Sequence, residues 1–203
     1  MVGKEVLAPD RIEIPTVSEG VYIRTREALA KTGFKFVVAI EPVSIAQLVV
    51  SGATGQRFGY INPSEKMRSN IPPQMEVAID LNNVRIKHSN DRSTDTQIEM
   101  IREQEAALKG RLPEDLRGFI SMIMPKHASI LAQLDLEHQK RKGKALFTYW
   151  FSRTDDQTLP GHVARVGRPD PTVGLFVDDW DRDLGYDHVF AVPVVVLPRK
   201  LAA

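Results

Sequence analysis

The hydrophobic pattern of the sequence changes at Gly143, and this change limits the fold more than any other feature. Residues 94–142 carry apolar side chains at helical spacing, whereas residues 144–198 consist of β-branched and aromatic runs separated by turn-forming residues. Consecutive strands with short connections favour antiparallel pairing. We therefore predict an α+β fold in which a helical pair (residues 94–142) packs on a mostly antiparallel sheet with a C-terminal β-meander (residues 144–198).

Local signals mark the ends of the two predicted helices. Residues 94–97 (TDTQ) form a capping box, and Gly110 ends the first helix. Pro113 suits the first position of the second helix, because that position needs no hydrogen-bonded N–H. Pro125 should kink or split this helix, and Gly143 should end it.

The rest of the chain is predicted to hold strands and two irregular regions. The predicted strands cover residues 34–40, 144–153, 162–168, 172–178 and 188–197. Residues 1–20 are predicted to be an extended N-terminal arm, and residues 51–74, which are rich in glycine and proline, a long loop region. We expect the 203 residues to form a single α+β domain.

Composition excludes several classes of protein. The 27 Lys and Arg residues balance the 26 Asp and Glu residues, and the net charge of +1 does not suit a bulk polyanion binder. The sequence has no cysteine, which excludes disulfides, thiolate zinc sites and a cysteine nucleophile. No apolar run approaches the roughly 20 residues of a membrane helix, and the first ten residues lack the apolar part of a signal peptide. We therefore expect a cytoplasmic protein with no membrane partner.

The segment of residues 179–187 (DWDRDLGYD), here called the acidic segment, is the most distinctive local motif. Asp179, Asp181 and Asp183 alternate as the ligands of a calcium loop do, because a hard cation needs several convergent oxygens. The segment departs from an EF-hand, since Gly185 comes one position late and Phe190 stands where a bidentate glutamate is required. Aspartate and glycine also form ordinary turns, and we favour a solvated hairpin loop over a metal site.

The other candidate site residues are a histidine, two arginines and a basic run. His188 follows it and is a candidate catalytic acid or base if a carboxylate lies within reach, although it also suits the start of a strand. Arg165 and Arg168 are candidates for anion binding, but residues three apart in a regular strand point to opposite faces. The basic run of residues 140–144 suits the negative end of a helix dipole, and we favour this role over nucleic-acid binding.

No nucleophile, metal cluster or phosphate loop stands out from these patterns, and we interpret the chain as a non-catalytic binding or assembly module. We predict no cofactor, and we expect the partner to be a protein or a small molecule. The alternative is a metal-assisted hydrolase, which would act on a small anionic substrate through a divalent metal in the acidic segment and His188.

The apolar run of residues 189–197 (VFAVPVVVL) suggests an association surface. Pro193 indicates a bulge or an edge strand, and an apolar edge must be covered. We therefore expect a homodimer or a larger assembly that uses residues 189–197 or the exposed flank of the helical pair.

Overall fold

The structure, a computed structural model, describes residues 12–50, 58–62 and 64–201. The helices of these ranges are α1 (Glu19–Lys31), α2 (Ile45–Val50), α3 (Glu65–Ser69), α4 (Thr94–Arg111) and α5 (Ala128–Lys142), with a 3-10 helix at Glu114–Phe119. The strands are β1 (Thr16–Val17), β2 (Phe36–Ile40), β3 (Phe58–Ile61), β4 (Met75–Ile79), β5 (Ser121–Ile123), β6 (Trp150–Gln157), β7 (His162–Arg168), β8 (Leu175–Asp181), β9 (Val189–Phe190), β10 (Val194–Val196) and β11 (Arg199–Lys200).

The strands form two main sheets and a short ribbon. The smaller sheet has the order β2-β4-β10-β5 and is antiparallel throughout. The larger sheet has the order β3-β8-β7-β6-β9, in which β6, β7 and β8 form an antiparallel meander and the outer strands β3 and β9 run parallel to their neighbours. Strands β1 and β11 pair in parallel. The fold is α+β with a C-terminal strand meander, as predicted.

The core has two parts, which lie on opposite faces of the smaller sheet. Val194 and Val196 of β10 belong to a cluster that includes α5 and the inner face of the larger sheet. Val195 belongs to a second cluster with α1 and α4. Because side chains alternate along a strand, the smaller sheet is buried on both faces, and the two long helices α4 and α5 lie on opposite sides of it.

A buried ion pair fixes α5 against the larger sheet. Asp135 of α5 is fully buried, and its Oδ2 lies 2.7 Å from the Nη2 atom of Arg168 at the end of β7. Its Oδ1 accepts hydrogen bonds from the backbone N–H groups of Leu146 and Phe147, at 2.7 and 3.1 Å. The carboxylate therefore ties together the helix, the segment that follows it and the sheet.

The predicted second helix, which should have started at Pro113, is wrong over its first part. The chain forms the 3-10 helix and then β5, and only α5 is α-helical, after Pro125. Burial alternates along residues 120–124, with residues 120, 122 and 124 buried, which is the period of a strand. Pairing with β10 explains this outcome, because the apolar spacing of residues 116–123 suits either structure.

The predicted single strand of residues 188–197 is also wrong. It is two strands, β9 and β10, which belong to different sheets and are separated by residues 191–193. Strand β10 is central rather than an edge, since β4 and β5 pair with it on either side. Because Val189 and residues 191–192 and 194–197 are buried, this run offers no exposed surface to a second copy. Self-association stays a prediction that only the helical flank now supports.

The two predicted irregular regions contain more regular structure than expected. Within the N-terminal arm, residues 12–20 hold β1 and the start of α1, and residues 1–11 lie outside the described part. Within the predicted loop of residues 51–74, the described residues include β3 and α3. Strand β6 begins at Trp150, six residues later than predicted. No helix in the described part is long and apolar enough to cross a membrane.

Candidate functional site

A groove crosses the outer face of the larger sheet. Strand residues that point away from the core alternate with core residues such as Val166 and Val177, and they form the floor of this groove. Its volume is about 600 Å³. This aromatic groove is lined by Tyr60, Tyr149, Phe151, Arg165, Pro169, Phe176, Asp178, Tyr186 and His188.

Two phenylalanine rings make the floor of the groove flat. A Cβ atom on Gly59 would lie 2.6 Å from Cε2 of Phe176, so the ring occupies the space of the missing side chain. A Cβ atom on Gly167 would lie 3.0 Å from Cδ1 of Phe151 and 2.2 Å from a backbone oxygen of β6. Glycine is therefore required at position 167, where a side chain would meet backbone, and at both positions the missing side chain leaves the space that the aromatic ring occupies.

Three tyrosines with large exposed areas surround this floor. Tyr60, Tyr149 and Tyr186 are 43%, 63% and 42% exposed. No other phenylalanine, tyrosine or tryptophan of the described residues is as exposed. Tyr149 has a φ of 65°, a left-handed conformation that is rare for a bulky residue and costs roughly 1–3 kcal/mol. A clustered set of exposed aromatic rings marks an interaction site more often than a scattered one.

Arg165 lies in the centre of the groove, in a rigid position. Its guanidinium carbon is 4.7 Å from the ring centroid of Phe151 and 4.3 Å from that of Trp180. Its Nη2 atom donates to Oδ2 of Asp178 at 2.9 Å. The two charges compensate each other, so the centre of the groove is polar but close to neutral.

The carboxylates of the acidic segment point to separate partners. Asp179 accepts from the Asn62 side-chain amide and lies 3.1 Å from the His162 ring, whereas Asp181 accepts the backbone N–H of Asp183 at 2.8 Å. Among the described residues, no group of three or more histidine, aspartate and glutamate side chains is arranged to hold a metal ion. Asp179 and Asp181 therefore stabilise the conformation of the acidic segment through separate hydrogen bonds.

Two arginines hold the acidic segment against the rest of the protein. Arg153 is fully buried, and its guanidinium donates to the carbonyl oxygen of Leu184 at 2.7 Å and to that of Arg92 at 3.0 Å. Burial lowers the pKa of Arg153 to about 10, which leaves the side chain charged at neutral pH. Arg182 pairs with Asp95 and Asp155 at 2.6 and 2.8 Å. These contacts position Tyr186 and His188, which follow on the same segment, beside the groove.

The structure separates the other candidate residues from one another. His188 is exposed at the edge of the groove, and its Nε2 atom lies 3.6 Å from the Asp187 carboxylate. Arg165 lies in the groove, but Arg168 lies on the opposite face of the sheet, paired with Asp135. They therefore do not form one anion site. In the basic run, Arg141 donates to Glu137 and to the carbonyl oxygen of Val37, at 2.6 and 2.8 Å.

Sequence reasoning did not identify the aromatic residues of the groove. Phe176 alternates with buried residues on its strand, which is the signal that could have placed it on an outer face, whereas burial is continuous around Phe151. Tyr60 lies far from both in the sequence, and only the strand order brings it to the same groove as Tyr149 and Phe151. Comparison with protein-family models, curated proteins and solved structures finds no match to this chain.

Proposed function

We propose that the protein is a non-catalytic binding module whose ligand lies in the aromatic groove. One observation carries this proposal: the largely exposed aromatic side chains of the described residues, Tyr60, Tyr149 and Tyr186, all line the same groove. Exposing these rings is costly unless a ligand covers them. Binding pockets commonly combine such apolar surfaces with a few fixed polar groups, and Arg165 with Asp178 supplies these here.

The polar groups of the groove favour binding over catalysis. Arg165 and Asp178 neutralise each other, and no serine, threonine or lysine is among the described residues that line the groove. The metal-assisted hydrolase has less support, because Asp179 and Asp181 engage different partners. His188 lies 3.6 Å from the Asp187 carboxylate, but the described residues that line the groove include no serine, threonine or lysine nucleophile beside it. A cytoplasmic location stays a prediction.

A thermal-shift screen tests this proposal with unlabelled libraries of short peptides, oligosaccharides and nucleotides. A compound that binds and is present at a concentration about 100 times its dissociation constant should stabilise the fold by about 2.7 kcal/mol. This raises the melting temperature by several degrees. We expect this increase in the wild type and in the control variant Leu159→Ala, whose side chain is exposed outside the groove. The increase should be lost in the double variant Tyr60→Ala/Tyr149→Ala.

Two results would contradict the binding module. Compounds that stabilise the double variant as well as the wild type would place the site elsewhere. Chemical conversion of a bound compound, detected by mass spectrometry after incubation, would show an enzyme.

A further inference from the structure

We propose that the groove binds an extended, proline-rich peptide segment that carries a basic residue. This inference rests on the proposed function and names its ligand class. Four properties of the groove support it: its length, its flat apolar floor, its hydrogen-bonding groups and the charge of its rim.

The length of the groove suits an extended ligand. The lining residues follow the strand order across the sheet, from Tyr60 on β3 through Phe176 on β8 and Phe151 on β6 to His188 beside β9. Neighbouring strands lie about 4.8 Å apart, so five strands span about 19 Å. A polyproline II helix rises about 3.1 Å per residue, and about six residues would cross the groove.

The floor suits the flat faces of proline rings. The ring of Phe176 lies over a glycine position and lines the groove together with Tyr149 and Pro169, whereas the ring of Phe151 is 9% exposed and lies against the guanidinium of Arg165. A polyproline II helix repeats every three residues, which brings prolines at i and i+3 to one face. Since this helix is largely formed before binding, it loses little conformational entropy in an aromatic groove.

The hydrogen-bonding groups of the groove complement a proline-rich backbone. Such a backbone has carbonyl acceptors without internal partners, and its prolines have no N–H donors. The groove offers the hydroxyl groups of Tyr60, Tyr149 and Tyr186, for which the described part of the chain provides no hydrogen-bond partner. Its carboxylate, Asp178, is already occupied by Arg165. The three hydroxyl groups can therefore donate to the carbonyl oxygens of such a backbone.

The charge of the rim distinguishes a basic peptide from a nucleic acid. Asp187 is exposed next to His188, and Asp170 follows Pro169 in the chain. Neither carboxylate pairs with a lysine or arginine among the described residues. Hydrogen bonds from the Thr172 hydroxyl and backbone N–H lower the pKa of Asp170, which keeps it ionised. Uncompensated carboxylates attract a peptide arginine and repel phosphates.

Fluorescence anisotropy with synthetic peptides tests this inference on the full-length protein. The probe is a labelled peptide of six prolines followed by one arginine. We expect saturable binding that weakens about fivefold when glutamate replaces the arginine and is lost when glycine and serine replace the prolines. Asp187→Asn should weaken binding of the arginine peptide about threefold without weakening binding of the glutamate peptide.

Variants of the groove separate stacking from folding effects. Tyr149→Ala should weaken binding about tenfold, whereas Tyr149→Phe, which keeps the ring and loses the hydroxyl, should weaken it about threefold. Leu159→Ala should bind as the wild type does. Circular dichroism with an unchanged melting temperature confirms that each variant is folded before it is compared.

Three results would overturn the inference. These are binding of the wild type only above about 1 mM, equal binding of the arginine and glutamate peptides, and tighter binding of labelled oligothymidylate or of a neutral oligosaccharide. If the screening libraries stabilise the protein through Tyr60 and Tyr149 while the proline peptides fail, the ligand class is wrong and the binding module stands. If both fail, both proposals fall.

Discussion

At the scale of single residues, the fold depends on a few buried charges that are each paired or hydrogen bonded. The Arg168–Asp135 pair is almost fully buried, and its removal leaves Asp135 as an uncompensated charge inside the core. We predict that Arg168→Met lowers the free energy of unfolding by about 3–5 kcal/mol, measured by urea denaturation. The exposed pair of Arg24 with Asp115, at 2.5 Å, provides the control, and Arg24→Met should cost less than about 1 kcal/mol. Equal losses in the two variants would contradict this account.

Asp156 is a second buried charge, and it makes stability depend on pH. Asp156 belongs to β6, and its side chain lies beside the first residue of α5. It accepts hydrogen bonds from the backbone N–H of Ala128 at 3.2 Å and from the side-chain amide of Asn70 at 2.6 Å. Desolvation by burial raises its pKa from 3.8 to about 6, against the lowering effects of these hydrogen bonds and of Lys66, while nearby Asp155 raises it further. The folded protein therefore binds the proton more tightly than the unfolded chain does.

The raised pKa of Asp156 makes the fold more stable at acidic pH. Protonation of Asp156 should stabilise the fold as the pH falls from about 7 to about 4, by up to about 3 kcal/mol, and this gain is lost as the pH rises through the folded pKa. We predict that the stability difference between the wild type and Asp156→Asn shifts in favour of the wild type on acidification, in urea titrations at several pH values. The exposed Asp183→Asn should show no such shift relative to the wild type. A difference that is independent of pH would contradict the raised pKa.

At the scale of elements, a single glycine determines where α5 ends. Gly143 ends this helix with a φ of 70°, and nothing lies within 4 Å of an added Cβ atom. Gly143→Ala should therefore lower the free energy of unfolding by about 1 kcal/mol through conformation alone. Gly110 lies in α4 with equal free space, and Gly110→Ala should raise stability by roughly 0.5–1 kcal/mol, because alanine favours the helix. Thermal unfolding measures both changes, and the same sign for both would contradict the assignment of the helix end.

Elements with strong local signals were predictable, and elements defined by distant partners were not. The sequence pattern placed β7 at its observed bounds and placed the ends of α4 and α5 near Gly110 and Gly143. The N-terminal cap of α4 is Ser93, whose hydroxyl accepts from the Thr96 N–H, one residue before the predicted capping box. The local sequence could not distinguish β5 from a helix or β10 from a continuation of β9. Short apolar runs acquire their conformation from the strands that pair with them.

At the scale of the whole molecule, one apolar run joins the two sheets. Residues 189–197 provide β9 to the larger sheet and β10 to the centre of the smaller sheet. We predict that the protein unfolds as one cooperative unit, so that far-UV circular dichroism and the fluorescence of Trp150 and Trp180, both on the larger sheet, give the same urea midpoint.

A variant of the smaller sheet makes this prediction stringent. Val195→Ala removes buried methyl groups from the cluster with α1 and α4, and it should lower stability by about 2 kcal/mol in both signals. A tryptophan signal that keeps its original midpoint, while circular dichroism shifts, would show that the larger sheet unfolds independently.

The groove is a property of the whole fold, which is why sequence reasoning could identify only part of it. Arg165 and His188 were candidates because of their chemistry, and both lie in the groove. The tyrosines come from segments about 40 to 130 residues apart, and their common position depends on the order β3-β8-β7-β6-β9. Strand order is a nonlocal property that alternation along one strand cannot supply.

An NMR map of the peptide-bound protein tests the central claim most directly. The measurement compares backbone amide chemical shifts of the wild type before and after saturation with the proline–arginine peptide. We expect the largest changes in one band across the larger sheet, at residues 60, 149–151, 165–167, 176–178 and 186–188, with little change in α4. Large changes confined to α4 or to the basic run of residues 140–144, with unchanged amides in this band, would contradict the aromatic groove as the binding site.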